Sequence, residues 1–351
     1  MNRFSFSHIS KFILYFLITV FSYNISSAQG FEGYYQNPNI HNNRIVFVAE
    51  GDLWTVPLSG GLAQRITSHP EEENFPSISP DGKTIAFSAS YEGPLEVYTM
   101  PVEGGIPTRW TYEQDASVTN SWTPDGKVIY NTRAYSKVPD NQIITIDLLT
   151  KQKTKIPLAQ ASEAAYDVSG KTVYFVRPAY HRNVTKRYKG GTARQIWKFT
   201  QGANEAVKLT KDYLGGSHHP MWFSGRIYFI TDRDGIMNIW SMNESGEDLQ
   251  QHTNHKEYDV RSASISNGNI VYQVAADLWH YNTISNESKK INIKLVSDLD
   301  QLRENWDDNP SQYITSVHTD PKGENIVITA RGRVFVAPVK SGRFVSFTDK
   351  K

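Results

Sequence analysis

Short β-branched and aromatic runs recur along this chain at a near-regular interval. That recurrence limits the folds open to it more than any other feature. The runs are Ile45-Val46-Phe47, Ile85-Ala86-Phe87, Val128-Ile129-Tyr130, Val173-Tyr174-Phe175, Ile227-Tyr228-Phe229 and Ile270-Val271-Tyr272. A seventh, Ile326-Val327-Ile328, follows after a longer gap. Most intervals are about 40–54 residues, the length of a four-stranded propeller blade.

Each unit repeats an order of parts. A first strand, such as Phe75-Pro76-Ser77-Ile78-Ser79, leads into a turn written SPDGK at 79–83 and TPDGK at 123–127. Glycine supplies the positive φ that a tight hairpin needs. The apolar run is the second strand. The third ends in an aromatic residue, as in Asp52-Leu53-Trp54, Glu96-Val97-Tyr98, Gln195-Ile196-Trp197, Asn238-Ile239-Trp240 and Asp277-Leu278-Trp279. A glycine-bearing loop such as Ser59-Gly60-Gly61 precedes a short fourth strand such as Gln64-Arg65-Ile66-Thr67. No long helical periodicity competes with this pattern. Asp81 and Asp125 therefore read as turn residues rather than catalytic carboxylates. The tryptophans at strand ends read as packing residues.

The expected fold is all-β: a six-bladed β-propeller over residues 29–293. Its blades span about 34–67, 75–111, 117–156, 162–210, 218–253 and 259–293. The first blade already holds a full set of strands, so the ring should close without sharing a blade between its ends. Side-chain packing between blades one and six should then hold it shut. Residues 294–311 are charged and read as a linker. Residues 312–351 restart the motif, with Thr319 to Glu324 as the turn, and read as the first blade of a truncated second propeller. The chain is accordingly expected to be a fragment or a product cut short.

Residues 1–28 have the layout of a cleaved secretory signal: Arg3 and Lys11, an apolar run from Phe12 to Phe21, then Ser26-Ser27-Ala28. The run is too short to span a bilayer with ease. Its removal leaves 35 basic and 36 acidic residues. The expectation is an exported protein, periplasmic or secreted, with no membrane insertion after cleavage. The balanced charge gives no footprint for nucleic acid. With no cysteine in 351 residues, disulfides, thiolate metal sites and cysteine nucleophiles are excluded.

A search for chemistry within the chain returns little. Gly-x-Ser-x-Gly, His-Glu-x-x-His, P-loop and dinucleotide motifs are missing. No catalytic residue, cofactor or metal site is expected. Asp232-Arg233-Asp234-Gly235 resembles the start of a calcium loop, but the later ligand spacing fails and a hairpin turn reads better. His218, His219, His252 and His255 read as solvated loop histidines. The richest stretch is Tyr180 to Arg194, YHRNVTKRYKGGTAR, which swells blade four. Within it Arg182, Arg187, Tyr188, Lys189 and Arg194 are the candidates for contacts with peptides or with another domain or subunit. Arginine and tyrosine favour interfaces, and long loops on rigid scaffolds tend to carry function.

Four phrases carry a resemblance: RIVFVAEGDLW from Arg44 to Trp54, YKGGTARQIW from Tyr188 to Trp197, RIYFITDRDG from Arg226 to Gly235, and ARGRVF from Ala330 to Phe335. Together they resemble the N-terminal propeller region of tricorn-type proteases, serine peptidases of the S41 class. The resemblance implies a six-bladed propeller, then a seven-bladed one, then a PDZ-like domain and catalytic domains. The active-site serine, histidine and glutamate would lie in those later domains, so this chain should not hydrolyse peptides by itself. It further implies peptide substrates or products gated through the propellers, and a homo-oligomer. In such proteases a basic pair from the first propeller holds the substrate's C-terminal carboxylate. The matching stretch, Thr111 to Asn120, holds no arginine or lysine, so that role does not carry over. A free-standing TolB-like propeller that binds a partner in the cell envelope is the alternative. It would share the SPDGK turns but would need neither the fourth-blade phrase nor a second propeller. A prolyl-oligopeptidase-like propeller is a third reading, and the restart after six blades argues against it.

Overall fold

The computed structural model describes residues 30–179, 185–299 and 308–348. The expected secretory signal and much of the linker lie outside these residues. Six four-stranded antiparallel sheets follow one another in sequence. Each is a meander whose strands pair in chain order. Blade one, for example, is Gln36–His41, Arg44–Ala49, Asp52–Pro57 and Gln64–Arg65. The chain forms two compact units, one ending at Asp298 and the other starting at Leu299.

The SPDGK phrase acts as punctuation. Gly82 has φ +73° and donates its N–H to the Ser79 carbonyl at 2.9 Å. Ser79 Oγ donates to Asp81 at 2.6 Å, and this bond, with the Lys83 N–H, holds the Asp81 carboxyl below its ordinary value. The Thr123 turn repeats the geometry, with Gly126 at φ +86°.

The second strand of each blade is apolar without alternation because both of its faces are covered. Successive side chains of a strand point to opposite faces. Ile45 and Phe47 therefore pack with Val271 and Leu278 of blade six, while Val46 and Val48 pack with Ile85 and Phe87 of blade two. The same exchange links blades two and three, three and four, four and five, and five and six. Every core cluster is thus an interface between consecutive blades. The cluster joining blades one and six closes the circle, and the inner strands contact one another in the same cyclic order.

Closure goes further than the side-chain packing expected from the sequence. The four strands of blade one are all its own. However, Ile293–Lys294, just after blade six, pairs in parallel with Gly61–Leu62 of blade one, and Leu295 bridges Phe31. Tyr35 adds a buried hydroxyl bond to the Ile293 carbonyl at 2.8 Å. A further backbone bond occurs at every seam. The N–H at or just before the start of an inner strand reaches the carbonyl just before the previous blade's third strand. The pairs are Glu73 to Gly51, Ser117 to Leu95, Ala161 to Asn141, Ser217 to Arg194, Val260 to Met237 and, at the closing seam, Tyr35 to Ala276. The last seam is built like the others and carries an extra strap.

Within four of these blades a threonine clasps the third strand. Leu53, Val97, Ile196 and Ile239 each donate N–H to the hydroxyl of Thr67, Thr111, Thr210 and Thr253, at 2.7, 2.8, 3.2 and 2.8 Å. Three of the hydroxyls donate in turn to Glu96, Gln195 and Asn238, the residue that opens the same strand. Thr67 donates instead to Glu73.

The second unit is a four-stranded sheet of blade form: Ile314–Thr319, Asn325–Ala330, Arg333–Pro338 and Val345–Ser346. Its strand order is that of one propeller blade. Among its described residues only Ala337 is buried.

Candidate functional site

The inner strands border the ring's axis, and each is interrupted at the same place. Pairing slips between Asn39 and Gln36, Asn74 and Ser77, Thr119 and Ser121, Ser162 and Ala165, His218 and Met221, and Val260 and Ala263. Each slip inserts one extra residue, a β-bulge that re-aims side chains and strengthens local twist. Asn37, Phe75, Glu163 and His219 sit at these bulges with φ between +47° and +53°. A left-handed φ is uncommon for such residues, and the closed ring holds them there.

The bulges of blades four and five meet. Glu163 and His219 are half-buried, and His218 is buried at 1% exposure. The bulge leaves the His219 N–H without a ladder partner, and Glu163 Oε2 accepts it at 2.7 Å. Arg194 Nη1 donates to Glu163 Oε1 at 3.0 Å. The two imidazoles meet Nδ1 to Nδ1 at 3.0 Å. Burial alone would raise the Glu163 carboxyl, but His219 and Arg194 outweigh it and hold it well below the carboxylate range. Burial, with Arg194 close by, pushes the His218 imidazole well below its ordinary value.

The solvated histidines expected from the sequence are therefore a misreading. His218 lies on a strand inside the ring. His252 bonds Tyr281 at 2.9 Å and Ser241 at 2.7 Å, and burial lowers its pKa to about 4. His255 bonds Tyr272 at 3.2 Å. Loop position in the sequence gave no access to this burial, which arises from neighbouring blades.

The basic stretch divides in two. Arg187, Tyr188 and Lys189 are all exposed, and Arg187 docks on the hairpin of blade five. The Arg187 N–H reaches Asp232 at 3.1 Å and its Nε reaches the Gly235 carbonyl at 2.9 Å. Lys189 lies over the Tyr213 ring at 5.8 Å, and Arg233 lies over the same ring at 4.8 Å. Tyr188 is 38% exposed. Lys186 continues to Asp259 of blade six at 2.5 Å. Arg194, by contrast, is buried at 7% exposure among the groups just described. Arg182 lies outside the described residues.

Asp232-Arg233-Asp234-Gly235 is a hairpin turn closed by the Gly235 N–H on the Asp232 carbonyl at 2.9 Å. The Asp232 carboxylate accepts the Arg187 N–H, the Tyr213 hydroxyl at 2.8 Å and the Gly216 N–H at 3.1 Å. Those donors occupy the oxygens a calcium ion would need. Of the strand-end tryptophans, Trp54 is fully buried and donates to the Ala49 carbonyl, while Trp197, Trp240 and Trp279 are half-buried in blade interfaces.

Residues 32–287 match the family model described as the tricorn protease N-terminal β-propeller domain. The chain belongs to this family. A tricorn protease homologue of Streptomyces coelicolor is 28% identical over 313 residues, covering 88% of this chain and 29% of the relative. A homologue of Saccharolobus solfataricus is 26% identical over 336 residues, covering 91% and 30%. The crystal structure of the tricorn protease superposes with a TM-score of 0.75 at 24% identity, covering 91% of this chain and 32% of that one. This chain of the tricorn propeller family thus spans under a third of the length of the relatives it matches.

Proposed function

We propose that the chain is the non-catalytic N-terminal propeller portion of an exported tricorn-like serine peptidase, where it gates or channels peptides and contacts other domains or subunits. The match of residues 32–287 to a domain defined by its place at the N-terminus of tricorn proteases carries this reading. The axis-lining bulges support it. Four of the inserted positions hold Asn37, Asn120, Glu163 and His219, and polar groups suit a wall that hydrated peptides pass. The exposed cluster of Arg187, Tyr188 and Lys189 is the proposed contact for a peptide carboxylate or a neighbouring subunit of a homo-oligomer. The basic start, apolar run and small residues within 1–28 support export.

The test is the size of the native polypeptide. An antibody raised against the purified chain should detect, in extracts of the source cells, a species several times heavier than the chain itself. A species of the chain's own mass that brings down no peptidase would overturn the proposal and favour a free-standing TolB-like propeller. Sequencing of the mature N-terminus should begin near Gln29, and retention of Met1 would remove export.

A further inference from the structure

We propose that Glu163, His218 and His219 form a binding site for one divalent transition-metal ion of the zinc class, set in the seam between blades four and five.

The argument begins with the bulges. On a regular strand, adjacent residues such as His218 and His219 point to opposite faces. Here the bulge, with His219 at φ +53°, turns both rings toward each other at 72° between planes and 5.2 Å between centroids. Glu163, at the matching bulge of blade four, brings a carboxylate to the same point. Among the described residues these three form a group whose potential ligand atoms converge within 4.8 Å of one another.

The distances fit an ion. The sides of the triangle are 3.0 Å from His218 Nδ1 to His219 Nδ1, 3.4 Å from His219 Nδ1 to Glu163 Oε2, and 3.9 Å from His218 Nδ1 to Glu163 Oε2. A triangle with these sides has its centre about 2.0 Å from every corner, which is the zinc–nitrogen and zinc–oxygen bond length. An ion can therefore reach all three atoms, and closing the His218–Glu163 side would bring the angles at the ion toward tetrahedral.

The chemistry also fits. Two imidazole nitrogens facing each other need either a proton between them or a shared cation. Two nitrogens and one carboxylate oxygen are a ligand set that zinc and its neighbours accept. Arg194 holds Glu163 Oε1, which orients Oε2 toward the imidazoles, as outer hydrogen bonds do for ligating carboxylates. Three protein ligands leave a coordination position for water or for a carboxylate brought to the ring's axis. The ion would also tie two blades together, since two ligands come from the inner strand of blade five and one from that of blade four.

The test uses the whole chain, purified without a polyhistidine tag and stripped of metal with chelator. Titration calorimetry with Zn²⁺ should give one equivalent per chain, and bound zinc should raise the melting temperature. His219→Ala is the chosen variant because this side chain is half-exposed and its loss should leave the fold intact by circular dichroism. It should weaken binding by about 100-fold or more and abolish the thermal shift. His69→Gln, far along the sequence from this cluster, should bind as the parent does. X-ray absorption of the zinc-loaded parent should show nitrogen and oxygen neighbours at about 2.0–2.1 Å, which decides the matter even if His219→Ala fails to fold. No stoichiometric binding by the parent, or binding unchanged by His219→Ala, overturns the proposal.

Discussion

The ring and the blade after it share a grammar but not a core. Both write a strand, a glycine turn, an apolar strand and a third strand that pairs with a short fourth. Both close the turn with a glycine at positive φ, Gly82 in one and Gly323 in the other. Both clasp the third strand with a threonine, since the Val334 N–H reaches Thr348 Oγ1 at 3.2 Å as Ile239 reaches Thr253. Yet Ile45, Val46 and Phe47 are wholly buried, while Ile326, Val327 and Ile328 are each partly exposed. Local sequence therefore sets strands, turns and register, and burial comes from the neighbouring blade. A sheet buries its faces only against a second layer.

This contrast can be broken by experiment, and truncation of the central strands is the strongest attempt. Phe47→Ala should cost about 3–5 kcal/mol, because it empties a buried ring position between blades one and six. Val327→Ala in the second unit should cost under about 1 kcal/mol, since its environment is half solvent. Hydrogen-exchange mass spectrometry reads each sheet separately. Equal loss of protection in both units would refute the view that the core lies between blades.

Removing the clasp is a milder probe. Thr253→Val should cost about 1–3 kcal/mol, because the Ile239 N–H and the Asn238 side chain lose a buried partner. Thr348→Val removes an exposed partner and should stay within about 0.5 kcal/mol. Urea midpoints for the two variants would sharpen the comparison, and a larger effect at Thr348 would reverse it.

A third probe is the difference in pH response. Burial, with the Asp52 carboxylate nearby, raises the Glu73 carboxyl to about 8. The folded ring thus holds a proton that the unfolded chain releases at ordinary carboxylate pH. Its contribution is full below that range and is lost as pH rises through about 8, with a slope of at most about 1.4 kcal/mol per pH unit. In the second unit the Asn325 amide lowers the Asp320 carboxyl. That contribution is present above the ordinary carboxylate range and is lost as pH falls through the lowered value. Melting curves from pH 4 to 9 should show the ring weakening toward alkali, and Glu73→Gln should flatten that limb. An unchanged alkaline limb in the variant would move the effect to another group.

Much of this was legible in the sequence because it is local. The SPDGK turns, the β-branched runs and the aromatic strand ends mark out six blades and a seventh sheet. The threonine clasp was also readable, since Asp52 and Thr67, Glu96 and Thr111, Gln195 and Thr210, and Asn238 and Thr253 share one spacing. Polar residues at strand ends nonetheless resemble surface, which masks it. What could not be read was tertiary. Adjacent histidines imply opposite faces unless a bulge intervenes; Pro220 is a local sign of one, but the carboxylate that the histidines face lies on another strand. Arg194 looked like part of an exposed basic run, yet it turns inward where Glu163 waits on another strand. The strap at 293–295 is too short to stand out from the charged residues after it.

That strap has a consequence for how the molecule is made. Tyr35 and Ile293, joined by a hydrogen bond, lie 258 positions apart. A growing chain leaves the ribosome from its N-terminal end at about 5–20 residues per second. Blade one must therefore wait on the order of ten seconds or more with the Tyr35 and Phe47 side open before its partner exists. During that interval the ring is an unfinished arc with two sticky ends. Holding such ends apart from those of other arcs is the problem this architecture hands to the cell each time the protein is synthesised.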